Sequence, residues 1–204
     1  MSLINQWVLP AAETLPIWVA LSWGLVVSAC ILNAAKNTIH QRCIGLVAFV
    51  VVIFPALKLS GYLALAFQTP CLLFVMWALL RWKDAILKQD RISESLPVIL
   101  PVLVILLGWG LVFDTLNFWP PFLNFNLYAW GFEAGALWMV IFVAVLVLIF
   151  FEVSPQRILF FLLTLAFFSI VRLPTGNIWD AVLDPFIWII CHAVLYRRLH
   201  AIYS

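Results

Sequence analysis

The sequence predicts an all-α polytopic membrane protein with seven transmembrane helices in a 3+1+3 arrangement, in which parallel internal repeats of three helices flank one linker helix. Three observations predict it. Of 204 residues, 66% are hydrophobic and only 10% are charged. That is more apolar surface than a soluble domain hides, and a bilayer takes it directly. Apolar runs of near-span length recur along the whole chain. The chain also matches itself, without a gap, at an offset of 115 residues. Trp23 falls on Trp138, Gln41-Arg42 on Gln156-Arg157, Gly61 on Gly176 and Pro70 on Pro185. The matches of Ala29, Ala66, Ala78 and Leu80 with Ala144, Ala181, Ala193 and Leu195 carry less weight in so apolar a chain. A repeat decides the fold before any single element does. The two copies are 15–82 and 130–198, with 97–114 as the linker helix.

The opening MSLINQWVLPAAETLP has no Lys or Arg before the first apolar run. It lacks the basic region of a signal peptide and is expected to be retained. Spans are expected at 15–35, 42–59, 61–82, 97–114, 131–152, 157–173 and 177–196. A perpendicular span needs roughly 20 apolar residues, so the short second and sixth are expected to tilt or be irregular. The connection at 36–41 is short and basic, and RWKDAILKQDRISESLP at 81–97 reads as a solvated loop or surface helix. The stretch 114–130 is aromatic and Pro-broken, with no Lys or Arg. SPQR at 154–157 and RLPTGN at 172–177 link the last three spans.

Seven spans place alternate links on opposite sides. Lys36, Arg42, Arg81, Lys83, Lys88, Arg91, Arg157, Arg197 and Arg198 then share one side, against Lys58 and Arg172 on the other. The positive-inside bias puts the N-terminus outside and the C-terminus in the cytoplasm, in the plasma (inner) membrane of a bacterium. Trp7, Trp18, Trp109, Trp119, Trp130 and Trp179 fall toward the outer side, as an aromatic belt would. Both triplets start outside and end inside, so the repeats are parallel about an axis along the membrane normal. In topology, though not in any sequence motif, this 3+1+3 plan resembles the sugar-efflux SWEET and nicotinamide-riboside transporter families.

The last span of each copy carries the chemistry. GYLALAFQTPCLLFVMWALL (61–80) aligns with GNIWDAVLDPFIWIICHAVL (176–195), each with Pro nine residues after Gly. At ~1.5 Å per residue that Pro lies roughly 13 Å deep, near the middle of the bilayer. Pro70 and Pro185 are expected to kink their helices and free the carbonyls of Ala66 and Ala181. Broken helices at mid-membrane are where transporters place substrates, although many membrane helices tolerate Pro without function. The copies differ in their acids, with Thr69 matching Asp184, Leu65 matching Asp180 and Trp77 matching His192. A charge at the bilayer centre costs about 2.5–3.5 kcal/mol on insertion scales. Asp180 and Asp184, four apart, are expected to share a helix face. Asp184, with Asp180, Thr69 and His192 around it, reads as an ion or substrate contact between the third and seventh spans. The plainer alternatives are a structural hydrogen bond for Asp184 and an Arg172 pairing for Asp180. His192 is expected to be hydrogen-bonded within the bundle.

Other chemistries find no support. The four cysteines (Cys30, Cys43, Cys71 and Cys191) lack CxxC or Cys/His metal spacing and read as small buried hydrophobes. No second intramembrane His completes a haem pair, no Lys in the last span carries a retinal, and no cofactor or metal is expected. A net charge of +2 gives no reason to expect nucleic acid. Asp114, Glu133 and Glu152 read as surface or interface residues, and the two Gln-Arg pairs as helix starts. In the outer loop, Trp119, Phe122, Phe125, Tyr128 and Trp130 with Asn117, Asn124 and Asn126 suit either a headgroup or an ordinary interface. GNIWD at 176–180 resembles the GNxxD part of the lipoprotein signal peptidase motif, but Ala181 stands where that family has Arg. With no GxSxG, HExxH or P-loop, an enzyme is not favoured. The expected function is that of a small-solute transporter or channel in the lipid bilayer. The alternatives are a subunit of a larger membrane complex, or an enzyme acting on a lipid-linked substrate. A membrane-protein partner or a homo-oligomer fits each of these.

Overall fold

Proline, glycine and capping residues set where each helix begins and stops. In the computed structural model, residues 12–34, 39–87, 97–118, 126–150 and 155–203 are described. Every regular element among them is helical. They are α1 (Thr14–Ala34), α2 (Ile39–Ile53), α3 (Leu59–Phe67), α4 (Leu72–Leu87), α5 (Ile99–Thr115), α6 (Leu127–Trp130), α7 (Ala134–Phe150), α8 (Pro155–Val171), α9 (Ile178–Val182) and α10 (Pro185–Tyr203). A short 3-10 turn, Pro55–Leu57, precedes α3. Among the described residues one unbroken helix, Thr14–Asn33, is long and apolar enough to cross a bilayer. Ile39–Ile53, Ile99–Thr115, Ala134–Val147 and Leu159–Val171 are apolar but shorter.

The largest departure from expectation lies at the two prolines. Instead of kinked spans at 61–82 and 177–196, each segment is two separate helices. Thr69 precedes Pro70, and the proline ring bars the α region to the residue before it. The helix therefore ends at Phe67, and Gln68 turns the chain at φ 64°. In the second segment α9 ends at Val182 and Leu183 is extended (φ −133°, ψ 134°). The expected common face for Asp180 and Asp184 is therefore absent, because an extended residue separates their helices.

The chain divides into two units, 1–93 with 173–175, and 94–172 with 176–204. In the first, α1 packs against α2, α3 and α4. Trp23, Val26, Ala29 and Leu32 recur at helical spacing as its buried apolar stripe. Ser22 and Ser28 are fully buried. Each hydroxyl donates back to its own helix, to Val19 at 3.1 Å and Leu25 at 2.8 Å, so neither is orphaned. Ser28 Oγ also accepts Trp82 Nε1 at 2.8 Å, which ties α4 to α1. Of the charged stretch from 81, expected as a solvated loop or surface helix, the part through Leu87 is helical.

In the second unit α5 packs against α6 and α10, and α7 against α8. A Cβ on Gly108 would overlap the Trp188 indole, so only glycine lets α10 approach α5 this closely. Trp188 Nε1 donates to the Ile105 carbonyl at 3.3 Å, and its ring meets Trp109 edge-on at 5.1 Å. α5 ends at Thr115, and Asn117, two residues on, has a left-handed φ of 54°. There Phe118 N–H donates to Phe113 at 2.9 Å and Asn117 N–H to Asp114 at 3.1 Å, the double closure of a Schellman ending. Pro155 opens α8 at its first position, where no backbone donor is lost.

Candidate functional site in the second unit

Asp184 is 7% exposed and stands at the interruption between α9 and α10. Its Oδ1 accepts the Ile187 N–H at 2.7 Å, with Pro185 as the first residue of the helix. This is an N-cap followed by N1 proline, a pairing that satisfies an orphan donor and presets φ. Its carbonyl accepts the Trp188 N–H at 3.0 Å. One structural hydrogen bond of Asp184 thus goes to the start of its own helix.

Elsewhere in this unit, polar groups converge on Tyr128 of α6. Its N–H donates to Asp114 Oδ2 at 2.8 Å. Its carbonyl accepts Asn177 Nδ2 at 2.8 Å, and its hydroxyl donates to Asp180 Oδ2 at 2.8 Å. Asn177, fully buried, also caps α9 through Trp179 N–H at 3.0 Å. Trp179 Nε1 donates to the Leu127 carbonyl at 2.7 Å, and Ile178 N–H to the Gly131 carbonyl at 3.0 Å. A Cβ on Gly131 would overlap Asn177 Oδ1 and the Trp179 indole, so this crossing requires glycine. Burial first, and then the hydrogen bond to Asp180, push the Tyr128 hydroxyl up to about 12. Both favour the neutral, donating phenol.

The expected site residues are distributed as follows. Asp180 is half-buried on α9 and holds Tyr128, while the Arg172 guanidinium lies over the Phe168 ring at 5.3 Å. His192 on α10 places Nδ1 2.8 Å from the Trp188 carbonyl, and its ring is edge-on to Trp188 at 4.9 Å. Thr69 and buried Pro70 belong to the first unit, in the link between α3 and α4. There the Gln68 carbonyl accepts Trp23 Nε1 at 3.1 Å. Glu133 is exposed, as expected. Residues 1–11, with Trp7, lie outside the described residues. So do Lys36, Lys88, Arg91, Trp119, Phe122, Asn124, Phe125 and Glu152. Among the described residues no three His, Cys, Asp or Glu side chains gather as a metal site would require.

Asp114, expected at the surface or an interface, is 9% exposed rather than at the surface and holds the Tyr128 backbone. Asn177 was passed over as a link residue. The Gly176-Asn177 start of a short apolar helix and the Asp184-Pro185 pair are both capping signals readable from sequence. No family model matches the chain, and no curated protein or solved structure matches it either.

Proposed function

We propose that this chain is an integral protein of a bacterial plasma membrane that passes a small solute or ion. Its seven-span, 3+1+3 topology would come from counting each interrupted pair, α3 with α4 and α9 with α10, as one span. The observation that carries this reading is a carboxylate, Asp184, almost wholly buried at a helix interruption in a strongly apolar chain. Intramembrane carboxylates are costly, and interrupted helices are a recurrent device for exposing polar groups at mid-membrane. Helix boundaries also recur near the 115-residue offset, with α2 and α8 starting at 39 and 155 and interruptions at 68–71 and 183–184. Large apolar side chains face outward along the helices: Ile44, Leu46, Val47 and Val50 on α2, Trp138 and Phe142 on α7, and Ile170 on α8. Apolar exteriors of this kind, on each unit by itself, suit acyl chains.

The test uses purified protein reconstituted in vesicles with a panel of small neutral and cationic solutes. Asn caps helices about as well as Asp, so Asp184→Asn preserves the start of α10 while removing the charge. Flux by wild type and its loss in Asp184→Asn support the reading. Equal flux removes Asp184 from the site. A second reading is favoured by a separate observation: Asp114, Asp180 and Asp184 each accept a hydrogen bond within the unit. The acids would then serve architecture in a non-transporting subunit of a larger membrane complex. Stoichiometric co-purification of a partner in mild detergent, with no solute flux, selects that reading.

A further inference from the structure

Four-residue steps lead from Asp184, the cap of α10, through Trp188 to His192, a spacing that makes side chains neighbours along one side of a helix. At ~1.5 Å per residue His192 lies about 12 Å beyond Asp184. Its Nδ1 is 2.8 Å from the Trp188 carbonyl, and the two rings meet edge-on at 4.9 Å. A carbonyl oxygen only accepts, so Nδ1 is the ring nitrogen that carries the proton. The neutral ring then has a lone pair at Nε2, an acceptor. Trp188 holds this setting because its own indole is fixed. Its Nε1 donates to the Ile105 carbonyl, and its ring fills the space over Gly108.

The surroundings offer Nε2 no donor. α10 packs against α5, and α5 has only apolar side chains from Ile99 to Leu107. Among the described residues no hydrogen bond reaches Nε2. His192 is half-buried, and an acceptor held in apolar surroundings without a donor costs free energy. We propose that His192 Nε2 is a second contact of the solute site and accepts an N–H from a small cation, an ammonium or a primary amine. Nε2 supplies an acceptor, and the Asp184 carboxylate two turns away supplies negative charge. A solute with acceptors alone finds no donor at Nε2. A quaternary ammonium has the same charge as a primary one but no N–H, and gains nothing there. This names the solute class of the site proposed above and rests on that reading for transport. The hydrogen bond itself is measured without flux, so the two can fail independently.

The experiment is nitrogen-15 NMR of the full chain, labelled at histidine, in lipid nanodiscs at pH ~8, above the ordinary imidazole range. The chain has three His, and His192→Phe identifies the His192 signals by their loss, with exposed His40 and His200 as references. A proton on Nδ1 and a lone pair on Nε2 are expected at His192. Methylammonium should then move the Nε2 signal saturably. Tetramethylammonium, of equal charge, should bind at least about tenfold more weakly, the scale of one hydrogen bond to a charged partner. The proposal is overturned if Nε2 carries the proton, if neither cation moves its signal, or if the two cations act equally. Vesicles that pass no solute while Nε2 still takes methylammonium would remove transport and keep the contact. Flux with the proton on Nε2 would do the reverse.

Discussion

The two interrupted helices carry a proline at the same place in the 115-residue register, yet they resume differently. In the first unit α4 begins at Leu72, two residues after Pro70, and Cys71 Sγ accepts the Phe74 N–H at 3.3 Å. In the second, α10 begins at Pro185 itself, and Asp184 Oδ1 accepts the Ile187 N–H at 2.7 Å. The caps differ in chemistry, a weak thiol acceptor against a carboxylate, and the helices start two residues out of register. Proline dictates only that the preceding residue leaves the α region. The best acceptor near it decides where the next helix starts. Thr69 occupies the register of Asp184 and is a poorer cap than Asp.

The surroundings of the interruptions differ as well. At the first, the Trp23 indole donates to the Gln68 carbonyl at 3.1 Å. The second is preceded by a strap of hydrogen bonds around Tyr128, with Asn177 fully buried at its centre. The largest expected effect is therefore Asn177→Ala. It removes the α9 cap and one of two bonds to the Tyr128 carbonyl, which keeps the Gly131 N–H at 3.1 Å, at about 1 kcal/mol for each. A fall of roughly 2 kcal/mol in unfolding free energy, read by thermal melting in detergent, is expected. A loss below ~1 kcal/mol would mean that the second interruption needs the strap no more than the first does. Gly108→Ala comes next. Its methyl group meets the Trp188 ring one turn into α10, and overpacking of this kind costs about 1–3 kcal/mol.

Removing the carboxylate cap tests the comparison directly. Asp184→Ala should cost ~1 kcal/mol in melting experiments, whereas Asp184→Asn should be nearly neutral. Equal losses in both variants would show that charge, rather than capping, fixes the second interruption. The Tyr128 hydroxyl gives the strap a pH signature of its own. Its value in the folded chain, about 12, lies above the ordinary 10 of an unfolded tyrosine. The stability it contributes is complete below pH 10 and is lost as pH rises toward 12. Solvent screening keeps this to about 1 kcal/mol or less. Wild type should therefore lose more melting temperature than Tyr128→Phe between those two pH values. Parallel curves would remove the phenol from the stability of the strap.

Much of this was legible in residues whose effects are local. The apolar runs gave helix positions to within a few residues, as 97–114 against Ile99–Thr115 shows. Pro70 and Pro185 announced disturbances at the right places. Their form was not legible, because a kink and a full interruption differ only in whether a nearby group caps the new end. The Asp184-Pro185 pair contained that information as an N-cap signal but was read as chemistry. Tyr128 and Asp114 could not have been joined from sequence. Their bond spans 14 residues and depends on how the chain turns after Asn117.

The smallest effect is the sharpest probe of the first interruption. Cys71 is fully buried, and its thiol is a poor acceptor for the Phe74 amide. Cys71→Ser is close in shape and places a good capping oxygen at the same point. If capping is what the thiol does there, α4 should gain a few tenths of a kcal/mol, within the range of cap substitutions. The gain would appear as a small rise in melting temperature and slower exchange of the Phe74 amide. A loss instead would mean that the thiol's packing outweighs its hydrogen bond. The first interruption would then be set by the Gln68 turn and Pro70 alone, and the parallel with Asp184 would end at the proline.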